Sequence, residues 1–156
     1  MRMSHFVIRD AIIPSLVATT REGAIREMIQ SLHAAGQFPN TDLDDIVRAV
    51  LRREQLGSTG IGRGIAIPHS RHAAVSQLVG TIALAKTGGV AFDSIDGEPV
   101  TVFVLLISPQ DRPGDHLRAL ENVVQAFRVD GFLEALRKCE TQDQIWDLIN
   151  GTRPTW

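Results

Sequence analysis

Hydrophobic positions follow a helical period at both ends of the chain and a strand-like pattern in the middle. After a short apolar opening through Ile12, Ile13, Leu16 and Val17, Thr19 is followed three residues later by Glu22, a capping-box pattern that predicts a helix start. Ile25, Met28, Ile29 and Leu32 then share one helical face, and Gly36 offers a left-handed stop. A second helix is predicted from a Thr41 cap, with Asp42, Asp44 and Asp45 at its positive end. Leu43, Ile46, Val47, Val50 and Leu51 make its buried face, and it is expected to end at Arg52 and Arg53.

At Gly57 the pattern changes. The stretch GSTGIGRGIAIPHS, residues 57–70, reads as a loop feeding a short strand around Ile65, Ala66 and Ile67. Further strands are predicted at Leu78–Ala85, around Val90–Phe92 and at Val100–Ile107, whose nearly unbroken apolar run fits a strand buried on both faces. Ser94, Ile95, Asp96 and Gly97 have turn chemistry, which predicts a hairpin between the last two strands. Pro113 opens the next helix, with Leu117, Leu120, Val123, Val124 and Phe127 expected to face inward. Two shorter helices follow, one near Phe132–Arg137 and one capped by Thr141 with Gln144 three residues on, burying Ile145, Leu148 and Ile149. Helices, then strands, then helices predict a mixed sheet covered by helices in one α/β domain spanning residues 1–156.

Composition narrows the function classes. Hydrophobic residues make up 44% of the 156 positions and charged ones 22%, as in ordinary globular proteins. Sixteen basic against eighteen acidic residues leave a formal charge of -2, so no global field favours nucleic acid or an anionic membrane. The single cysteine, Cys139, excludes an intramolecular disulfide and a cysteine-rich metal cluster. No apolar run approaches the roughly 18 residues of a membrane span, and the start lacks a signal-peptide pattern, so a cytoplasmic location is expected. Five histidines remain as the main chemical resource.

His69 follows Pro68 at the expected end of a strand, where sheet meets solvent, a common location for sites in α/β proteins. Gly57, Gly60, Gly62 and Gly64 allow backbone N–H groups to approach an anion, and Ser58 and Thr59 add hydroxyl donors. The spacing is neither a P-loop, because Gly-Lys-Ser/Thr is missing, nor a Rossmann turn, because a strand follows. His116 lies in the first turn of the helix opened by Pro113, at the border of its buried face, and the fold can bring it near His69. A zinc site would want three or four ligands, and no fixed-spacing histidine pair offers them. His72 is the best additional candidate but is expected to be solvated in a polar turn, while His5 and His33 have no supporting context. The alternative is metal-free phosphoryl transfer, in which a neutral imidazole attacks phosphorus while hydrogen-bond donors and an arginine hold the equatorial oxygens. Arg53, Arg52 and Arg63 are all placed in sequence to serve as that arginine.

These residues resemble a known family, the phosphotransferase-system (PTS) enzyme IIA domains of the fructose, mannitol and nitrogen-regulatory class, EIIA type 2. Arg53, Glu54, GSTGIGRGIAIPHS, AFDSIDGEPVTVFVLLISP and DHLRALENVVQAF occur in the family's order and spacing, and the resemblance covers essentially the whole chain. It implies a mixed β-sheet flanked by helices on both sides, and no metal or organic cofactor. By the same resemblance His69 is the phosphorylated histidine, His116 assists it, and Arg53 stabilises the phosphoryl group; the donor chemistry of the Gly-rich stretch adds Ser58, Thr59, Gly60 and Ser70 as the expected phosphoryl-binding loop. The implied donor is the phosphocarrier protein HPr, and the implied targets are an EIIB domain in sugar uptake or partner proteins that are regulated. Ser70 departs from the glycine that many members carry after the active histidine. The Gly-rich stretch looks closest to the nitrogen-regulatory type. The competing reading is a binding module that keeps the fold but acts by protein contact without phosphorylation.

Overall fold

The computed structural model describes residues 2–86 and 88–151. Its centre is β5 (Val102–Ser108), the long apolar run, every residue of which is buried. The pleat divides its side chains between two cores. Phe103, Leu105 and Ile107 enter one, and Val102, Val104 and Leu106 the other. The first core is closed by α1 (Arg21–Ala34) and α2 (Leu43–Leu56), through Ile25, Met28, Ile29, Ile46, Val47 and Val50. The second is closed by α3 (Pro113–Arg128), α4 (Phe132–Lys138) and α5 (Gln142–Ile149), through Val123, Phe127, Leu133 and Ile145. Helices therefore flank both faces of the sheet, as the apolar run requires.

Around β5 the sheet is mixed. The chain enters it through β1 (Gly60–Gly62), antiparallel to β2 (Ile65–Ala66), and β2 runs parallel to β5. After Ile67 and Pro68, β3 (His69–Arg71) rejoins β5 in the same register, so β2 and β3 are one parallel track interrupted at the proline. The interruption is itself held, because Leu106 N–H donates to Pro68 O at 3.0 Å and Ile67 N–H to Thr59 O at 3.1 Å. On the opposite edge β4 (Val79–Leu84) pairs antiparallel with β5. A Cβ on Gly80 would lie 2.6 Å from Leu105 O, so only glycine fits this crossing. Among the described residues, no helix is long and apolar enough to cross a membrane.

Several local expectations are corrected. Thr20, not Thr19, caps α1, accepting from Gly23 N–H at 3.1 Å, because the Glu27 carboxylate takes the N–H groups of Val17 and Ala18 and fixes the incoming chain. Gly36 does take the left-handed conformation, at φ +85°. Thr41 lies inside a short 3-10 turn, Asn40–Asp42, and α2 follows it without a side-chain cap. The helix then continues one turn past Arg53, because buried Glu54 extends its inward face. The expected strand at Val90–Phe92 reduces to one antiparallel bridge between Val90 and Val100, the pairing of the anticipated hairpin without its length. Leu117 is 61% exposed rather than buried, since Ala119, Val123 and Phe127 set the inward face of α3.

Candidate functional site

The parallel track delivers His69 to the sheet edge, while the start of α3 delivers His116 opposite it. Their ring centroids are 5.2 Å apart and the planes are inclined by 55°. An open pocket of about 720 Å³ surrounds them, lined by Arg53, His69, Ser70, Arg71, Gln110, Pro113, His116 and Leu117. It gathers residues from the last turns of α2, from β3, and from the turn and helix after β5, which makes it a meeting point of three segments.

The His69 ring has a defined tautomer. Its Nδ1 lies 2.7 Å from Ile67 O, and because a carbonyl only accepts, Nδ1 carries the proton and Nε2 keeps a lone pair. Burial pushes the His69 pKa below its ordinary value; the Ile67 hydrogen bond opposes this and Arg53 adds to the lowering. His116 is lowered further, to about 4, by burial first and then by His69, Arg71 and Arg53. Both rings are therefore neutral near pH 7. The His116 Nδ1 is hydrogen-bonded to the hydroxyl of fully buried Ser108, the last residue of β5.

Among the three candidate arginines, Arg53 lines this pocket and also donates to Gly57 O at 2.8 Å. Arg63 is held elsewhere, in a left-handed turn at φ +59°, with its N–H on Asp96 and its guanidinium on Phe127 O. Arg52 lies along a separate groove with Arg21 and Arg48. Ser70 lines the pocket, but Ser58, Thr59 and Gly60 are engaged away from it. Ser58 Oγ donates to Phe92 O at 2.5 Å, Thr59 is bound to Glu54, and Gly60 packs against Ser94 in β1.

Beyond His69 the chain continues as a strand through Ser70 and Arg71 where a polar turn was expected, and this exposes a residue overlooked from sequence. Arg71, two positions after His69, shares its side of the strand, so period-2 alternation was the signal that could have found it. Gln110 had no sequence signal, since it enters only through the turn after β5. His72 is buried, not solvated. Its Nδ1 accepts from Ala74 N–H at 2.9 Å, so Nε2 carries the proton it donates to Asp45 at 2.6 Å, tying the end of β3 to α2. Among the described residues no group of three or more His, Cys, Asp or Glu side chains could hold a metal ion.

The family model for the phosphoenolpyruvate-dependent sugar phosphotransferase system, EIIA 2, matches residues 6–151. The chain belongs to this EIIA type 2 family. It is 28% identical over 149 residues to a nitrogen regulatory protein of Bradyrhizobium diazoefficiens, covering 96% of this chain and 95% of that protein. It is also 30% identical over 150 residues to the fructose-specific EIIABC component of Bacillus subtilis, where the match spans 96% of this chain but only 23% of the relative. Among solved structures, the nitrogen regulatory protein IIA-Ntr of Neisseria meningitidis superposes with a TM-score of 0.83 at 26% identity, over 94% of this chain and 98% of that one. Relatives of this EIIA thus include both regulatory and sugar-transport proteins.

Proposed function

We propose that this EIIA is a phosphohistidine carrier with His69 as the group that is phosphorylated. The observation that carries the reading is the Nδ1 hydrogen bond to Ile67 O, which leaves an Nε2 lone pair in a pocket containing two arginines and a second imidazole. The Nε2 lone pair attacks phosphorus of a donor phosphohistidine. A new N–P bond forms as the donor's P–N bond breaks, and that electron pair returns to the donor ring. His69 retains its Nδ1 proton, so the positive charge arising on its ring is stabilised by the Ile67 carbonyl.

Arg53 and Arg71 supply positive charge for the phosphoryl oxygens, an electrostatic role suited to a loose transition state. With the Ser108 hydroxyl donating to Nδ1, His116 keeps its proton on Nε2 and presents it as a further donor. The exposed Leu117 at the rim and the openness of the pocket suit a phosphoryl group delivered on another protein's histidine, as from HPr. The acceptor is an EIIB domain or a partner whose behaviour the phosphoryl charge switches. Likeness to a nitrogen regulatory protein over 95% of its length supports the second. The reading needs no metal or organic cofactor.

Incubation with enzyme I, HPr and labelled phosphoenolpyruvate tests the reading. It predicts one acid-labile phosphoryl group per chain, lost in His69→Ala. An unlabelled wild type that still binds its partners would instead establish a contact-only binding module.

A further inference from the structure

Glu54 stands next to Arg53 in the last turn of α2 and is 3% exposed, yet no cation is seen on its carboxylate among the ion pairs of the described residues. A buried carboxylate is costly unless hydrogen bonds compensate it. Here both bonds come from one residue, Thr59, whose N–H donates at 3.1 Å to Oε2 and whose hydroxyl donates to Oε1. Thr59 is itself buried, and its carbonyl accepts from Ile67 N–H at 3.1 Å. Ile67 O in turn accepts from His69 Nδ1 at 2.7 Å. Three successive hydrogen-bonded contacts, linked through the backbone of Thr59 and of Ile67, thus join the end of α2 to the His69 ring.

We propose that Glu54 is a positioning residue for His69, fixing its ring tautomer and placement through Thr59 and Ile67. The proposal rests on the carrier reading for its purpose, though not for its geometry. Arg53 holds Gly57 O and Glu54 holds Thr59, so the two side chains anchor both ends of the Gly57–Thr59 segment. A shift of the segment strains or breaks the Ile67 N–H bond to Thr59 O, and a displaced Ile67 carbonyl frees Nδ1 to lose its proton preference. Nε2 would then carry the proton in part of the molecules and could not attack. This also assigns a role to Thr59 away from the phosphoryl group: it holds the frame on which the histidine sits.

The test combines ¹⁵N NMR of the histidine rings with phosphoryl-transfer rates from HPr. Wild type is expected to show His69 entirely as the Nδ1–H tautomer; an Nε2–H ring would overturn the proposal outright. Thr59→Val, which keeps the shape but deletes the hydroxyl, should mix the tautomers and slow transfer on the order of 10-fold to 10²-fold, the scale of small misplacements. Thr59→Ser should restore both. Glu54→Gln, which keeps the volume and one acceptor, should act in the same direction as Thr59→Val. If Thr59→Val and Glu54→Gln fold with an unmixed His69 tautomer, Glu54 does not position the ring. The ring readout needs no phosphorylation, so a wild type that is never labelled would defeat the carrier reading while leaving this result standing.

Discussion

His69 and His116 face each other at 5.2 Å between ring centroids, and each is held through Nδ1 by a different kind of partner, the backbone carbonyl of Ile67 for one and the side-chain hydroxyl of Ser108 for the other. The pair is asymmetric, because a carbonyl forces the proton onto His69 Nδ1 whereas a hydroxyl can donate to His116 Nδ1. In the proposed carrier reading one ring offers a lone pair and the other an N–H. Removing the donor should slow transfer without moving the site of attachment. His116→Ala is expected to lower the rate from HPr roughly 10²-fold, as for loss of one donor to developing charge, with the label still on His69. Rapid-quench labelling measures both, and an unchanged rate would remove His116 from the reaction.

The lowered histidine pKa values give acid sensitivity a definite sign. Between about 4 and the ordinary 6.5, the unfolded chain holds a proton on His116 that the folded chain excludes. Stability therefore rises with pH through that window, is fully present above 6.5, and is lost progressively on acidification toward 4. Melting temperatures measured from pH 4 to 7 should fall more steeply toward acid for wild type than for His116→Gln. Phosphorylation reverses the local charge, so the same ring should titrate at higher pH in the phosphorylated protein, readable by NMR.

Arg71 adds positive charge on the His69 side of β3. Because it is solvent-exposed, its contribution is electrostatic and screened by salt. Arg71→Ala is expected to weaken transfer by several-fold at low ionic strength and to make the rate less salt-dependent. Equal salt dependence in variant and wild type would mean that Arg71 does not act on the phosphoryl charge.

His72 contributes to stability rather than chemistry. His72→Ala leaves the Ala74 N–H without its acceptor and opens space between β3 and α2, an expected loss of about 1–3 kcal/mol. Denaturant unfolding checks this, and Asp45→Asn, which alters only the exposed partner, should cost less.

The helices and the buried central strand were legible in the sequence because each rests on local signals, and the histidine pair because a strand end and a helix start place its members and the family resemblance joins them. Apolar periodicity marked α1 and α3, the Thr141–Gln144 capping box is present as read, and Pro113 opens α3. What escaped depends on partners distant in sequence. β1 has two glycines in three residues and becomes a strand only by pairing with β2. Ser70 and Arg71 read as polar turn until β5 is placed beside them. His72 looks solvated until Asp45, 27 positions earlier, is brought to it. The Ser58 and Thr59 hydroxyls have the chemistry of an anion cradle, but tertiary contacts with Phe92 and Glu54 use both.

His69 Nε2, and not Nδ1 or another residue, is the proposed acceptor of the phosphoryl group. Phosphorylating ¹⁵N-histidine-labelled protein with enzyme I, HPr and phosphoenolpyruvate, then recording the ring nitrogen shifts and couplings to phosphorus, locates the bond directly. Phosphorus is expected on His69 Nε2 with the proton retained on Nδ1. Phosphorus on His69 Nδ1, on His116, or on a residue that is still labelled in His69→Ala would contradict it.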